Sequence, residues 1–200
     1  MLTFGHVGIT LATGLMIKRA LSGRYVNTET GRNTATAVPS DELHLRKIFE
    51  RMDLRVLAIG SMLPDIIDKP LGNFIFRSTF ENGRIFAHTL LFLIAISAAG
   101  ILLYKRKGSI WLITLAFGSV MHLIEDDIWN MPRTLLWPFM GITFDKYDYG
   151  NLLSLWWNEF LHVPSVYIPE WIGIAIVVAF ASFLIWRREV KHFLKMGMLS

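Results

Sequence analysis

Histidine and aspartate side chains interrupt or end several apolar segments of this 200-residue chain. Ionisable groups are costly within apolar surroundings, and in membrane segments they mark functional sites. Neutral imidazole and carboxylate groups are also the usual protein ligands of zinc, iron and manganese. The candidate metal ligands are His6, Asp65, His88, His122 and Asp126.

The spacing of these residues suggests further roles. His122 and Asp126 are four residues apart, which places them on one face of a helix, whereas Glu125 lies off that face. Arg84 precedes His88 by four residues and could share its face, where a guanidinium would stabilise an anionic transition state. A nearby carboxylate could serve as general base. The candidate catalytic residues are Asp68, Arg84 and Glu125.

The apolar segments that carry these residues approach the length needed to cross a bilayer, which is about 20 residues. Four of them are Leu2–Ile17, Ile85–Tyr104, Ile110–Ile124 and Trp171–Trp186. A fifth, Leu54–Ile67, contains Pro64, which predicts a short span or a broken helix.

The composition agrees with membrane insertion, because 53% of the residues are hydrophobic, 18% are charged and the mean hydropathy is +0.43. We therefore predict an all-α fold, a polytopic membrane helical bundle of about four to five transmembrane helices. It would form a single integral membrane domain over residues 1–200. The alternative is a soluble helical protein with buried core helices. The absence of cysteine excludes disulfides, zinc ribbons and thiol catalysis.

The basic residues predict an orientation. Fifteen of the 20 Lys and Arg residues fall within 18–55, 105–107 and 187–195, which alternating spans would place on one side. The positive-inside rule makes that side cytoplasmic, with the N-terminus outside and the C-terminus in the cytoplasm of a multi-pass cell-membrane protein. Residues 22–53 would form a cytoplasmic loop, and residues 130–170 an extracytoplasmic, aromatic-rich interfacial segment. The net charge of +4 thus reflects topology, and no nucleic-acid partner is expected.

The same orientation predicts one layer for all five candidate ligands. Counting about 1.5 Å per helical residue from the basic borders places each of them in the outer half of a hydrocarbon core about 30 Å thick. A metal site near the outer face follows. Separate alternatives are a packing role for His6, a helix cap for Asp65 after Pro64, and a proton relay through His122 and Asp126.

Four short motifs resemble those of the YdjM-type family of predicted membrane-bound metal-dependent hydrolases. Gly60–Asp68 is similar to G-x-x-x-P-D-x-D, Arg84–Leu91 to R-G-x-T-H-S-L, Gly118–Asp126 to G-x-x-x-H-x-x-x-D, and Leu135–Phe139 to L-L-W-P-F. The resemblance is clear over residues 1–140. Two departures are Gly83, where the family often has histidine, and the spacing of three between Asp65 and Asp68, where the family has two.

The resemblance implies a helical, metal-dependent hydrolase distantly like zinc-dependent phospholipase C. It implies zinc as the divalent metal and phosphoester chemistry. Together with the outer, tryptophan-flanked site, it predicts membrane lipid as a partner and a small phosphoester or a lipid head group as substrate. Two other functions remain open: a small ion or proton-coupled transporter, and a non-catalytic membrane protein stabilised by a metal.

Overall fold

The computed structural model describes residues 3–29, 40–147 and 150–199, and every regular element in these ranges is helical. The predicted all-α class is confirmed. The helices are α1 (Thr3–Glu29), α2 (Ser40–Glu50), α3 (Leu54–Pro70), α4 (Arg77–Phe80), α5 (Leu90–Lys107), α6 (Trp111–Glu125), α7 (Pro132–Leu135), α8 (Leu152–His162), α9 (Pro164–Trp186) and α10 (Val190–Met196). A π-helical turn, Leu71–Ile75, extends α3, and a 3₁₀ turn, Ile128–Asn130, follows α6.

Five longer helices pack in the spatial order α9, α1, α3, α6 and α5, and α1 also contacts α6. Glycines sit where the helices approach most closely. A Cβ atom on Gly60 would lie 2.5 Å from the carbonyl oxygen of Leu115, and one on Gly118 would lie 2.7 Å from that of Leu57. Gly8 and Gly173 allow the same close approach between α1 and α9. Small residues at helix contacts are typical of membrane proteins, where packing replaces the hydrophobic effect.

Helix α3 runs without a break through Pro64, so the predicted broken helix is wrong. Proline removes the N–H that would bond to the carbonyl of the residue four positions earlier. That carbonyl belongs to Gly60, and it accepts a hydrogen bond of 3.1 Å from the Ser119 hydroxyl on α6. The neighbouring helix thus replaces the lost bond. Asp65 lies inside the helix, so the alternative that it caps a helix start is wrong as well.

Helix α5 begins at Leu90, five residues after the start of the predicted segment Ile85–Tyr104. The Thr89 hydroxyl accepts a hydrogen bond from the N–H of Phe92 and caps the helix. The chain between α4 and α5 is irregular and carries both Arg84 and His88. The predicted shared helical face of these two residues is therefore wrong.

Helix α1 extends to Glu29, so the predicted loop over residues 22–53 starts with helix. Its predicted short helix from Ser40 to Met52 is present as α2. By length and composition, one helix among the described residues is able to cross a membrane, namely α9. Helix α6 has 15 residues, and the 18 residues of α5 end in Lys105, Arg106 and Lys107.

An apolar core occupies one end of the α1–α3–α6 unit. Leu11, Met52, Leu54 and Leu57 are each at most 5% exposed and pack against one another. Helix α10 closes this end, because the N–H of Leu54 donates a hydrogen bond of 2.8 Å to the Gly197 carbonyl. The predicted site residues lie at the opposite end of the same three helices.

Candidate metal centre

The five predicted ligands meet in one buried cluster. Helix α1 supplies His6, α3 supplies Asp65, the segment before α5 supplies His88, and α6 with its C-terminal cap supplies His122 and Asp126. None of these side chains is more than 3% exposed. Two overlapping triads within the cluster have the spacing to hold a metal ion: His6, His122 and Asp126; Asp65, His88 and His122.

The two histidine Nε2 atoms and each carboxylate oxygen beside them have separations close to those of metal ligands. The Nε2 atoms of His88 and His122 are 3.2 Å apart. Asp65 Oδ1 lies 3.7 Å from each of them, and Asp126 Oδ2 lies 3.8 Å from each. Ligands of a tetrahedral site with bonds of about 2.0–2.1 Å are separated by about 3.3–3.4 Å. The two Nε2 atoms with either carboxylate oxygen are thus within about half an ångström of that spacing.

The outward partners of the histidines fix which nitrogen carries the proton. His122 Nδ1 lies 2.6 Å from the carbonyl oxygen of Ser61, and His88 Nδ1 lies 2.7 Å from Asp68 Oδ2. His6 Nδ1 lies 2.9 Å from Glu125 Oε2. A carbonyl or carboxylate oxygen only accepts, so each Nδ1 donates its proton outward. In the neutral rings, each Nε2 then presents a lone pair to the cluster.

With these tautomers, hydrogen-bond acceptors face one another in the interior of the cluster. Three imidazole lone pairs converge with carboxylate oxygens, and such groups repel one another unless a cation lies between them. His6 Nε2 is buried and makes no hydrogen bond within the described residues, and its neighbour Asp126 Oδ1 is 3.4 Å away. This donor set fits a divalent metal, and histidines held by carboxylates and carbonyls are the usual outer support of metal sites.

Asp68 of α3 holds the irregular segment between α4 and α5 through hydrogen bonds. Its carboxylate accepts hydrogen bonds from the backbone N–H groups of Ile85, Ala87 and His88, at distances from 2.8 to 3.1 Å, in addition to that from the His88 ring. The side chain is fully buried behind the histidine. Asp68 therefore orients His88. Its predicted role as general base stays a prediction.

Glu125 links α6 to α1 in a similar way, through hydrogen bonds to its carboxylate. It points away from the face of His122 and Asp126, as the spacing predicts, and contacts α1. One carboxylate oxygen accepts from the Thr10 hydroxyl at 3.0 Å, and the other accepts from His6. Glu125 thus holds His6 towards the cluster, and its predicted role as base also stays a prediction.

Arg84 and Lys69 bring positive charge to the rim. Arg84 Nε donates to Asp126 Oδ2 at 2.7 Å, and Lys69 Nζ donates to Asp65 Oδ2 at 2.5 Å. Arg84 reaches this position from the irregular segment, where its N–H donates to the Asn82 side chain. Lys69 thus binds the outer oxygen of Asp65. Arg84, in contrast, binds the same Asp126 oxygen that lies nearest His88 and His122.

Sequence reasoning missed three supporting groups. The carbonyl of Ser61 and the hydroxyl of Thr10 carry no recognisable signal in the sequence. Glu170 does, because it is a charged residue beside the apolar run of α9. It is 3% exposed and accepts hydrogen bonds from the N–H groups of Phe4 and Gly5, at 2.7 and 2.9 Å. It thus caps α1 one residue before His6.

The family model described as YdjM inner membrane protein matches residues 1–198. The chain belongs to this family. The protein is therefore a membrane protein, and the match extends past the predicted resemblance over residues 1–140 to include α8, α9 and α10. No curated protein and no solved structure matches the chain.

Proposed function

We propose that this YdjM-family protein is a membrane-embedded, metal-dependent hydrolase that acts on a phosphoester or a lipid head group at the outer face of the membrane. The observation that carries the proposal is the convergence of imidazole lone pairs and carboxylate oxygens in one buried cluster. A divalent cation would satisfy the acceptors of either triad.

Asp65, His88, His122 and Asp126 would hold the metal, with His6 as a further ligand. Imidazole together with carboxylate suits zinc, which makes zinc the proposed ion. A bound divalent metal supplies Lewis acidity, and it lowers the pKa of a water molecule towards about 7.

The remaining charged residues would neutralise charge on the substrate and position the histidines. Arg84 and Lys69 place two positive charges at the rim, which complement the charge that develops on a phosphoryl group during hydrolysis. Asp68 and Glu125 keep the Nδ1 protons of His88 and His6 on the outer side, so both Nε2 atoms stay directed inward. These contacts favour positioning roles for the two carboxylates.

We further propose that four or five helices cross the membrane within a single domain over residues 1–200. Five spans would place the N-terminus outside and the C-terminus in the cytoplasm. The basic ends of the helices lie close to one another, which supports placing all of them on one side of the membrane. Arg51 donates to the carbonyl of Gly108 beside the basic end of α5, and Arg55 donates to the carbonyl of Leu194 in α10. Residues 22–53 would then be cytoplasmic and residues 130–170 extracytoplasmic.

The direct test is elemental analysis of the detergent-purified protein, followed by a panel of phosphoester and lipid substrates. We expect bound zinc and hydrolysis that a chelator removes and zinc restores. His122→Ala should abolish both metal binding and hydrolysis, although the protein still inserts. His162→Ala is the matched control, because His162 lies on the exposed surface of α8 and contacts the Asn158 carbonyl. Full activity in metal-free protein would refute the proposal.

A second candidate function is a metal with a purely structural role. The burial of the candidate ligand side chains, none of which is more than 3% exposed, favours it, because structural zinc sites are closed, whereas catalytic sites keep an open position. In that case chelation would lower thermal stability, and the zinc-loaded protein would hydrolyse none of the panel.

A further inference from the structure

Two cavities adjoin beside the cluster, where residues of α8 and of the start of α1 line a common space. The smaller one, of about 260 Å³, is bordered by Asp65 of the cluster and by Lys69 and Phe74. The larger one, of about 390 Å³, lies between α1, α8 and α9. Thr3 and Trp156 border both cavities. A ligand that extends past Trp156 would therefore occupy both.

The two cavities differ in chemistry. The larger one is walled by aromatic and aliphatic side chains, and the carboxylate of Glu170 at its edge is held by the N–H groups of Phe4 and Gly5. Its apolar walls include Leu153, Trp156, Trp157, Phe160 and Ile174. Its volume falls within the range of about 300–1,000 Å³ that small-molecule sites occupy. It suits an alkyl chain.

Lys69 marks the ionic end. Its ammonium group donates to Asp65 and lies 5.9 Å from the ring centroid of Trp156. An ammonium group has three donors, so an anionic oxygen can also be accommodated at this position. The charged end and the apolar end thus meet at Trp156.

We propose that the ligand of this site is a phospholipid drawn from the bilayer. Its phosphate would lie beside Lys69 and the metal cluster, and one acyl chain would lie past Trp156 in the larger cavity. The inference rests on the proposed function for what happens to the lipid, but not for its binding. It makes charge complementarity at Lys69 and chain burial at α8 the two determinants of recognition.

Photo-crosslinking tests the binding without any need for catalysis. The full-length protein would be placed in vesicles that contain phosphatidylglycerol with a diazirine on the acyl chain. Diacylglycerol with the same chain is the comparison, because it lacks the phosphate. We expect phosphatidylglycerol to label the peptide of α8, residues 152–162, about 10-fold more than diacylglycerol does.

Variants separate the two determinants. Ile174→Trp fills the larger cavity and should reduce labelling of α8 about 10-fold. Lys69→Ala should remove the preference for phosphatidylglycerol over diacylglycerol. Trp186→Ala is the control, because Trp186 is 79% exposed at the far end of α9, and labelling should stay at the wild-type level. Circular dichroism and gel filtration in detergent would show that each variant is folded.

The outcomes distinguish this inference from the proposed function. Equal labelling by both lipids, or labelling that folded Ile174→Trp leaves unchanged, would overturn the phospholipid site even if a soluble phosphoester were hydrolysed. Selective labelling by phosphatidylglycerol in a protein that hydrolyses nothing would support the lipid site and refute the hydrolase. A lower ratio of kcat/KM for long-chain over short-chain phosphoesters in Ile174→Trp would support both.

Discussion

The same three helices bury ionisable groups at one end and aliphatic groups at the other. At the end with the candidate metal centre, His6, Asp65 and His122 come from α1, α3 and α6 in turn. At the opposite end, Leu11 and Leu57 of α1 and α3 pack in an apolar core. Both ends are equally buried, but their requirements differ. A leucine needs only a space of the right volume, whereas each buried neutral histidine needs an acceptor for one ring nitrogen and a donor or a cation for the other.

The close approach of α3 and α6 serves both ends. Gly60 and Gly118 bring the two backbones together between the apolar core and the cluster. Because Pro64 has no N–H, the Gly60 carbonyl accepts a hydrogen bond from the Ser119 hydroxyl instead. The next carbonyl, that of Ser61, accepts from His122. The backbone of α3 therefore acts as a supporting partner for the site, which is possible only where the helices nearly touch.

Gly118→Leu should have the largest effect, because it breaks the contact on which both ends depend. Its Cβ would lie 2.7 Å from backbone atoms of Leu57 and Ser61, which cannot rotate away as a side chain would. We expect little folded protein in detergent by gel filtration, and no bound metal. Ala98→Leu, on the exposed face of α5, is the control for added bulk. Normal folding of Gly118→Leu would show that the close contact is dispensable.

Leu57→Ala should affect one end only. The side chain is fully buried in the apolar core, so its removal leaves a cavity and costs about 2–5 kcal/mol of unfolding free energy. We expect the thermal unfolding midpoint to fall. The ratio of bound zinc to folded protein should equal that of the wild-type protein. Loss of metal from the folded variant would mean that the two ends are coupled more tightly than the contrast between them suggests.

Asp68→Asn should instead affect the other end of the helices, which carries the candidate metal centre. The amide cannot accept as the carboxylate does from the His88 ring and three backbone N–H groups, so His88 loses its orientation. Loss of such an outer partner weakens metal affinity by about 10–100-fold. A competition titration with a chelator would measure it. Asp145→Asn, at an exposed carboxylate that pairs with Arg133, is the control. Unchanged affinity in Asp68→Asn would remove Asp68 from the support of the site.

Asp53→Ala should have the smallest effect, at the apolar end. Asp53 caps α3, and the loss of such a cap costs about 1 kcal/mol. Burial alone would raise the pKa of Asp53, but hydrogen bonds from Arg55 and from the N–H of Val56 outweigh it and lower the pKa below 3.8. The stabilisation is therefore complete above pH 3.8 and is lost as the pH falls through the folded-state pKa.

Thermal unfolding in detergent between pH 2.5 and about 6 would check this sign. The difference in unfolding midpoint between the wild-type protein and Asp53→Ala should be constant at the upper end of this pH range and shrink at the acid end. A difference that grows as the pH falls would contradict the direction of the pKa shift.

Much of the site was predictable from the sequence because the chemistry of a side chain is local. Histidine and aspartate in apolar segments are costly wherever they fall, so their presence there predicts a buried polar site. The i, i+4 spacing of His122 and Asp126 needs only the helical repeat. The helical class follows in the same way from the length and composition of the apolar segments.

The partners of these residues were decided by the tertiary structure alone. Glu125 meets His6 across 119 positions of the chain, and Glu170 caps α1 across 165 or more, so no local pattern could pair them. Arg84 reaches Asp126 from the irregular segment before α5, and the histidine tautomers depend on which acceptor each ring faces. These contacts follow from the rotation and approach of whole helices, which small residues such as Gly60 set and which the type of any single side chain does not specify.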